Sequence, residues 1–190
     1  MGMSFNAYIH AQIYYEVSPR IRYISDEGYC VFAYDEYRQR PGASRSGTQV
    51  DVLIMEKITG ECSSELWVVE AKDFRQLTAE PRATNTTGLP QTLKRKFEDS
   101  HAWLQSQECP EIIREQYNKT AARHFCTHIE LPLKSEADKV SPRLYNILVS
   151  VFRGLSESRM RFITPDHSPL VLLNSKIINA DERLPWRCQA

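Results

Sequence analysis

Two short apolar runs joined by a polar connector constrain this chain more than any other feature. Val50-Asp51-Val52-Leu53-Ile54-Met55 and Leu66-Trp67-Val68-Val69-Glu70-Ala71-Lys72 flank a stretch containing Thr59-Gly60-Glu61. β-Branched and aromatic enrichment on either side of a Gly-containing connector predicts a hairpin of two antiparallel strands. Three charged residues interrupt the apolar pattern: Asp51 near the start of the first strand, and Glu70 and Lys72 near the end of the second. Strand side chains repeat every two residues, so Glu70 and Lys72 share a face. In an antiparallel pair the start of one strand lies beside the end of the next, which brings Asp51 to the same place. Two carboxylates and an ammonium then converge at one end of the hairpin.

Such a group has a chemical use. Carboxylate oxygens suit a hard cation such as magnesium, which keeps several waters and takes one or two protein carboxylates plus substrate phosphate. A bound cation lowers the pKa of its water and offsets the charge that builds on a phosphate under attack. The bland alternative is a surface hairpin in which Glu70 and Lys72 form an exposed pair.

Asp51, eighteen intervening residues and then Glu70-Ala71-Lys72 resembles the PD-(D/E)XK nuclease superfamily, with Val50 where the family name has proline. The resemblance implies a restriction-endonuclease-like α/β fold, an αβββαβ core with a mixed central sheet flanked by helices. It implies a core over about residues 5–152 of a single domain spanning 1–190, with 153–190 as a C-terminal extension. It also implies a magnesium-dependent nuclease, with manganese able to substitute, that hydrolyses phosphodiester bonds, DNA being the expected substrate. Restriction, recombination, repair and mobile-element roles are all compatible with it. Asp51 and Glu70 would hold the metal with the Ala71 carbonyl, and Lys72 would position or activate the water. Glu16 is the candidate extra ligand from a first helix, and Gln91 a candidate to orient the water or a phosphate. The alternative within the same fold is a catalytically inactive module that binds nucleic acid or protein. A homodimer would suit cutting of both strands.

At 190 residues and 22.0 kDa the chain is long enough for one domain with a sizeable core. A formal net charge of +0 argues against a purely electrostatic nucleic-acid binder but leaves room for a metal-dependent one. No apolar run is long enough to cross a membrane as a helix, and the first residues lack a basic segment followed by an apolar block. The five cysteines are odd in number, scattered and without a CxxC, which reads as reduced thiols in a cytoplasmic protein.

Along the chain, Ala7, Ile9, Ile13 and Val17 give an apolar stripe that predicts helix over 5–27, with Ser18-Pro19 as a break and Gly28 as the stop. A strand follows at 29–34. The loop 38–48, RQRPGASRSGT, leads into the Asp51 strand, and Arg38, Arg40 and Arg45 are candidates to hold phosphates. Residues 73–90 read as an extended excursion beside the site. The strongest helix is 90–107, with Leu93, Phe97, Trp103 and Leu104 inward and Lys94, Arg95 and Lys96 outward; Lys94 joins the phosphate-binding candidates. A second helix at 110–123 precedes His124-Phe125-Cys126-Thr127-His128, whose alternate residues share a face on a strand and could in principle bind zinc. Residues 144–152 read as a buried central strand, 160–163 and 170–173 as short strands, and Leu184-Pro185-Trp186 as a tail packed on the core.

Overall fold

The computed structural model describes residues 9–11, 15–18, 21–40, 48, 50–56, 65–73, 89–130, 171–173 and 175–189. The chain is mixed α/β. Among the described residues the strands run in chain order as β1 (Ile9–Ala11), β2 (Tyr15–Ser18), β3 (Ile21–Ser25), β4 (Tyr29–Phe32), β5 (Val52–Glu56), β6 (Glu65–Asp73), β7 (Ala122–Glu130), β8 (Val171–Leu173) and β9 (Trp186–Gln189). The helices, numbered consecutively here, are α1 (Tyr34–Gln39), α2 (Leu89–Gln105), α3 (Glu111–Lys119) and α4 (Ser175–Ala180).

The expected hairpin is present. Val52 pairs with Val69 and Met55 with Leu66 in an antiparallel ladder between β5 and β6. β4 adds to its other side, also antiparallel, with Val31 opposite Ile54. The next neighbour, β7, runs parallel to β6 along nine register positions, Glu65 opposite Ala122 through Asp73 opposite Glu130. Parallel neighbours need a crossover, and α2 and α3 supply it. β1 and β8 complete a six-stranded sheet of order β1-β4-β5-β6-β7-β8, and β2-β3-β9 forms a separate three-stranded sheet.

The two faces of the large sheet are covered differently. On one face Phe125, the register partner of Val68, meets Phe97 of α2 edge-on at 5.5 Å between centroids. Leu93, Phe97, Ser100 and Leu104 form the buried stripe of that helix. The opposite face carries Trp67 and His128, which reach the small sheet: Trp67 lies 6.1 Å from Trp186, and Tyr23 lies 5.4 Å from Trp186 and 5.6 Å from His128. Three layers result, helices on the large sheet and the large sheet on the small one.

In the described part of 5–27 the expected helix is replaced by strands β1, β2 and β3, a correction with a simple physical reason. Ala7, Ile9, Ile13 and Val17 are all odd-numbered, so they satisfy a period of two as well as an approximate 3.6, and β-branched residues favour the strand. Ile21, Tyr23 and Ser25 are buried while Arg22 and Ile24 are only half-buried, a direct reading of that alternation. Gly28, at φ +91°, turns the chain from the small sheet into the large one instead of ending a helix.

Residues 38–40, expected in a loop, close α1. The helices expected at 90–107 and 110–123 stand at Leu89–Gln105 and Glu111–Lys119, and the tail packs as expected, with Leu184 and Trp186 buried. The strand after the helices is 122–130; the run 144–152, the strand at 160–163 and most of the excursion at 73–90 lie outside the described residues.

Candidate active site

Asp51 stands one position before β5. Its amide donates to the Val69 carbonyl at 3.1 Å, and its own carbonyl accepts the Asp35 amide from the first turn of α1, also at 3.1 Å. Helix α2 holds the approach to this strand: Asp99 Oδ2 accepts from the Thr48 amide (2.7 Å) and hydroxyl (2.9 Å), and the Val50 amide donates to Ser100 Oγ at 3.2 Å. The Asp51 carboxylate is thereby fixed across from β6, where Oδ2 accepts the Ala71 amide at 2.6 Å.

Glu70 projects from β6 onto the α2 face and is fully buried. That excludes the exposed surface pair. Its Oε1 receives the Lys72 ammonium, two residues along the same strand, and the Lys96 ammonium from α2 at 2.7 Å. Among the described residues its Oε2 has no hydrogen-bond partner. Beside it in the parallel ladder stands Thr127, whose buried Oγ1 is likewise unpartnered. Buried polar oxygens are rarely left so, because the desolvation cost is not recovered.

Charge in this corner is the Asp51 and Glu70 carboxylates against the Lys72 and Lys96 ammoniums, with Asp35 close enough to act on Lys72. Burial, and then the neighbouring Glu70 charge, push the Asp51 carboxyl up from 3.8 to about 7, against the opposing pull of Lys96, the Ala71 amide and Lys72. For Lys72 burial acts to lower the pKa, but Glu70, Asp51 and Asp35 together outweigh it and raise the net value. Lys72 therefore stays an ammonium at any ordinary pH.

Asp51, Glu70 and Lys72 meet as the alternation predicts. The remaining candidates stand elsewhere. Glu16 belongs to β2 of the small sheet, opposite Arg22, and not to a helix. Gln91 is exposed in the first turn of α2, and Lys94 is exposed and ion-paired with Glu98 at 3.7 Å. Arg38 is corrected as a phosphate contact: it is buried, its guanidinium 3.4 Å from Glu108 and 4.8 Å from the centre of the Trp103 ring, so it offers no surface to a nucleic-acid strand. Arg40 lies over the Tyr37 ring at 3.7 Å and donates to the Tyr37 carbonyl at 2.6 Å. Arg45 lies outside the described residues.

Lys96, expected on the outer face of its helix, and Asp35, outside the candidate set, both act on this corner. A signal for Lys96 exists: it sits three residues after Leu93 and four before Ser100, inside the stripe that α2 buries. A lysine within an apolar stripe calls for a carboxylate partner.

The second titratable cluster lies on the far face of β7. His128 Nδ1 and Tyr23 Oη are 2.7 Å apart, and His128 Nε2 and Glu130 Oε1 are 2.7 Å apart; Glu130 Oε1 also accepts the Ser175 amide at 2.6 Å. His124, in contrast, stacks on Trp67 at 4.2 Å. The alternate residues of 124–128 do share a face, but His124 and His128 serve different neighbours. Among the described residues no group of three or more His, Cys, Asp or Glu gathers to hold a metal. The acidic corner offers two carboxylates with one unpartnered oxygen, which fits a hard cation that keeps most of its own waters.

Among the described residues, no helix is long and apolar enough to cross a membrane. No protein-family model matches the chain, and no solved structure matches it. A curated cysteine–tRNA ligase of Neisseria meningitidis serogroup A / serotype 4A (strain DSM 15465 / Z2491) is 28% identical over 149 residues, 72% of this chain. The matched part is 20% of the ligase's own length.

Proposed function

We propose that this chain is a metal-dependent nuclease that hydrolyses phosphodiester bonds, with DNA as its substrate and a restriction-endonuclease-like core. One observation carries the reading: Asp51, fully buried Glu70 and Lys72 converge at one end of the β5–β6 pair, with Glu70 Oε2 left without a partner among the described residues. The order β4-β5-β6, two helices and a parallel β7 supports the core assignment.

Asp51 and Glu70 would hold magnesium or manganese, with the Ala71 carbonyl available from the same strand. When bound, the cation supplies a water of lowered pKa and positive charge against the phosphate. Lys72, whose carboxylate neighbours favour its charged form in the metal-free chain, would position or activate the attacking water and stabilise the developing negative charge. Burial of Glu70 keeps the carboxylate from wandering, so the site is positioned before substrate arrives.

The test is incubation of the wild type, Asp51→Ala and Lys72→Ala with circular, linear and single-stranded DNA, with magnesium, manganese or EDTA. A tRNA arm is included because of the likeness to part of a tRNA ligase. Metal-dependent cleavage lost in both variants supports the reading. Cleavage retained by both would sink it, and metal-independent binding without cleavage would favour the inactive binding module.

A further inference from the structure

We propose that Lys96 is the resident counter-cation of Glu70, a positioning residue whose ammonium holds the carboxylate until a divalent cation takes its place. The inference rests on the metal-dependent reading above and adds a residue to it.

Three observations lead there. Lys96 and Lys72 both reach the same oxygen of Glu70, so a buried carboxylate with one charge is shared by two ammoniums while its other oxygen has none. A dication held between Asp51 and Glu70 would add two further positive charges to a corner where two ammoniums already balance those two carboxylates, with Asp35 as the other acid acting on Lys72. That repulsion favours release of one lysine. Lys72 sits on the same rigid strand as Glu70, two positions away, where the pleat fixes both side chains to one face. Lys96 is no more exposed than Lys72 (20% against 27%), but it comes from a separate helix on a four-carbon stem and reaches Glu70 from outside the strand, so it can swing away without disturbing the strand that carries the acid.

Lys96 thus compensates the buried charge in the metal-free protein and competes with the cation for it. The withdrawn ammonium, beside the exposed first turns of α2, becomes available to a phosphate of the substrate. The same residue weakens metal binding and favours the loaded complex with nucleic acid.

The experiment measures manganese binding by electron paramagnetic resonance on the full chain, for the wild type, Lys96→Met, Lys96→Arg, Asp51→Asn and, as a charge control, Lys94→Met. Lys96→Met is expected to bind manganese about tenfold more tightly, a modest fraction of what one nearby charge pair is worth. Lys96→Arg and Lys94→Met should match the wild type. Tightening distinguishes the exchange from a structural role, since a damaged site binds more weakly. Manganese held by Lys96→Met but not by the wild type supports the proposal equally. Affinity in Lys96→Met that is unchanged or weaker, while Asp51→Asn loses the metal, overturns the counter-cation role and leaves the nuclease reading standing. Manganese bound by none of the five overturns the nuclease reading, and the exchange with it.

Discussion

The Ala71 amide donates to Asp51 Oδ2 at 2.6 Å, so the first carboxylate is held by the backbone of the strand that carries the second. Glu70 is held instead by the Lys72 and Lys96 ammoniums, and the stability roles of the two acids are opposite, which separates them experimentally.

Asp51 has a folded pKa near 7 against 3.8 for the free group. The folded state therefore binds the proton more tightly. The contribution is fully present below pH 3.8 and is lost as the pH rises through about 7. Asp51→Asn keeps an acceptor for the Ala71 amide and never ionises. It is expected to be more stable than the wild type at pH 8 by about 2–4 kcal/mol, given about 1.4 kcal/mol per pKa unit. Urea titrations at several pH values between 4 and 8 should show the two proteins converging at the acid end; parallel curves would contradict it.

Glu70→Gln should act the other way. It leaves the Lys72 and Lys96 ammoniums around a buried neutral amide, at a cost of about 1–3 kcal/mol at pH 7. Removing either carboxylate should abolish metal binding, but only the Glu70 change should lower the urea midpoint.

Metal binding needs Asp51 ionised, so manganese affinity should rise as the pH is raised from 6 to 8 and level off above that. It should also raise the thermal midpoint of the wild type, by about 2.7 kcal/mol of stability at a hundredfold excess over the dissociation constant. A melting temperature indifferent to manganese at pH 8 would argue against a native cation site.

On the other face of the large sheet, Tyr23→Phe removes the hydroxyl that meets His128 Nδ1 between the two sheets. Loss of that partner in a buried setting is expected to cost about 1–3 kcal/mol. Manganese affinity should be unaffected, because Tyr23 meets the face of β7 opposite to Glu70's side of the sheet. Chemical denaturation and the resonance measurement together test both halves.

The β5–β6 pair and its acidic corner are legible because period-two patterning and the interrupting charges fall within a short stretch, where register alone decides which side chains meet. The helix expected over 5–27 gives way to strands at its described residues because an all-odd apolar set satisfies two periods at once, and only pairing with β9 and β4, distant in sequence, decides between them. Arg38 looked like a phosphate ligand from its loop-like composition; its burial against Glu108, 70 residues away, is a tertiary fact no local pattern contains. Lys96 sits between these cases. Its place in the stripe of α2 was visible, but its partner Glu70, 26 residues earlier, required the helix to be laid on the sheet.

The acidic corner forms once per chain, from one Asp51 and one Glu70. Under the proposed chemistry a single chain opens one phosphodiester at a time. Double-strand breaks would then pass through a nicked intermediate whose lifetime shortens with rising protein concentration. A plasmid time course at several enzyme concentrations would display that order of reaction directly.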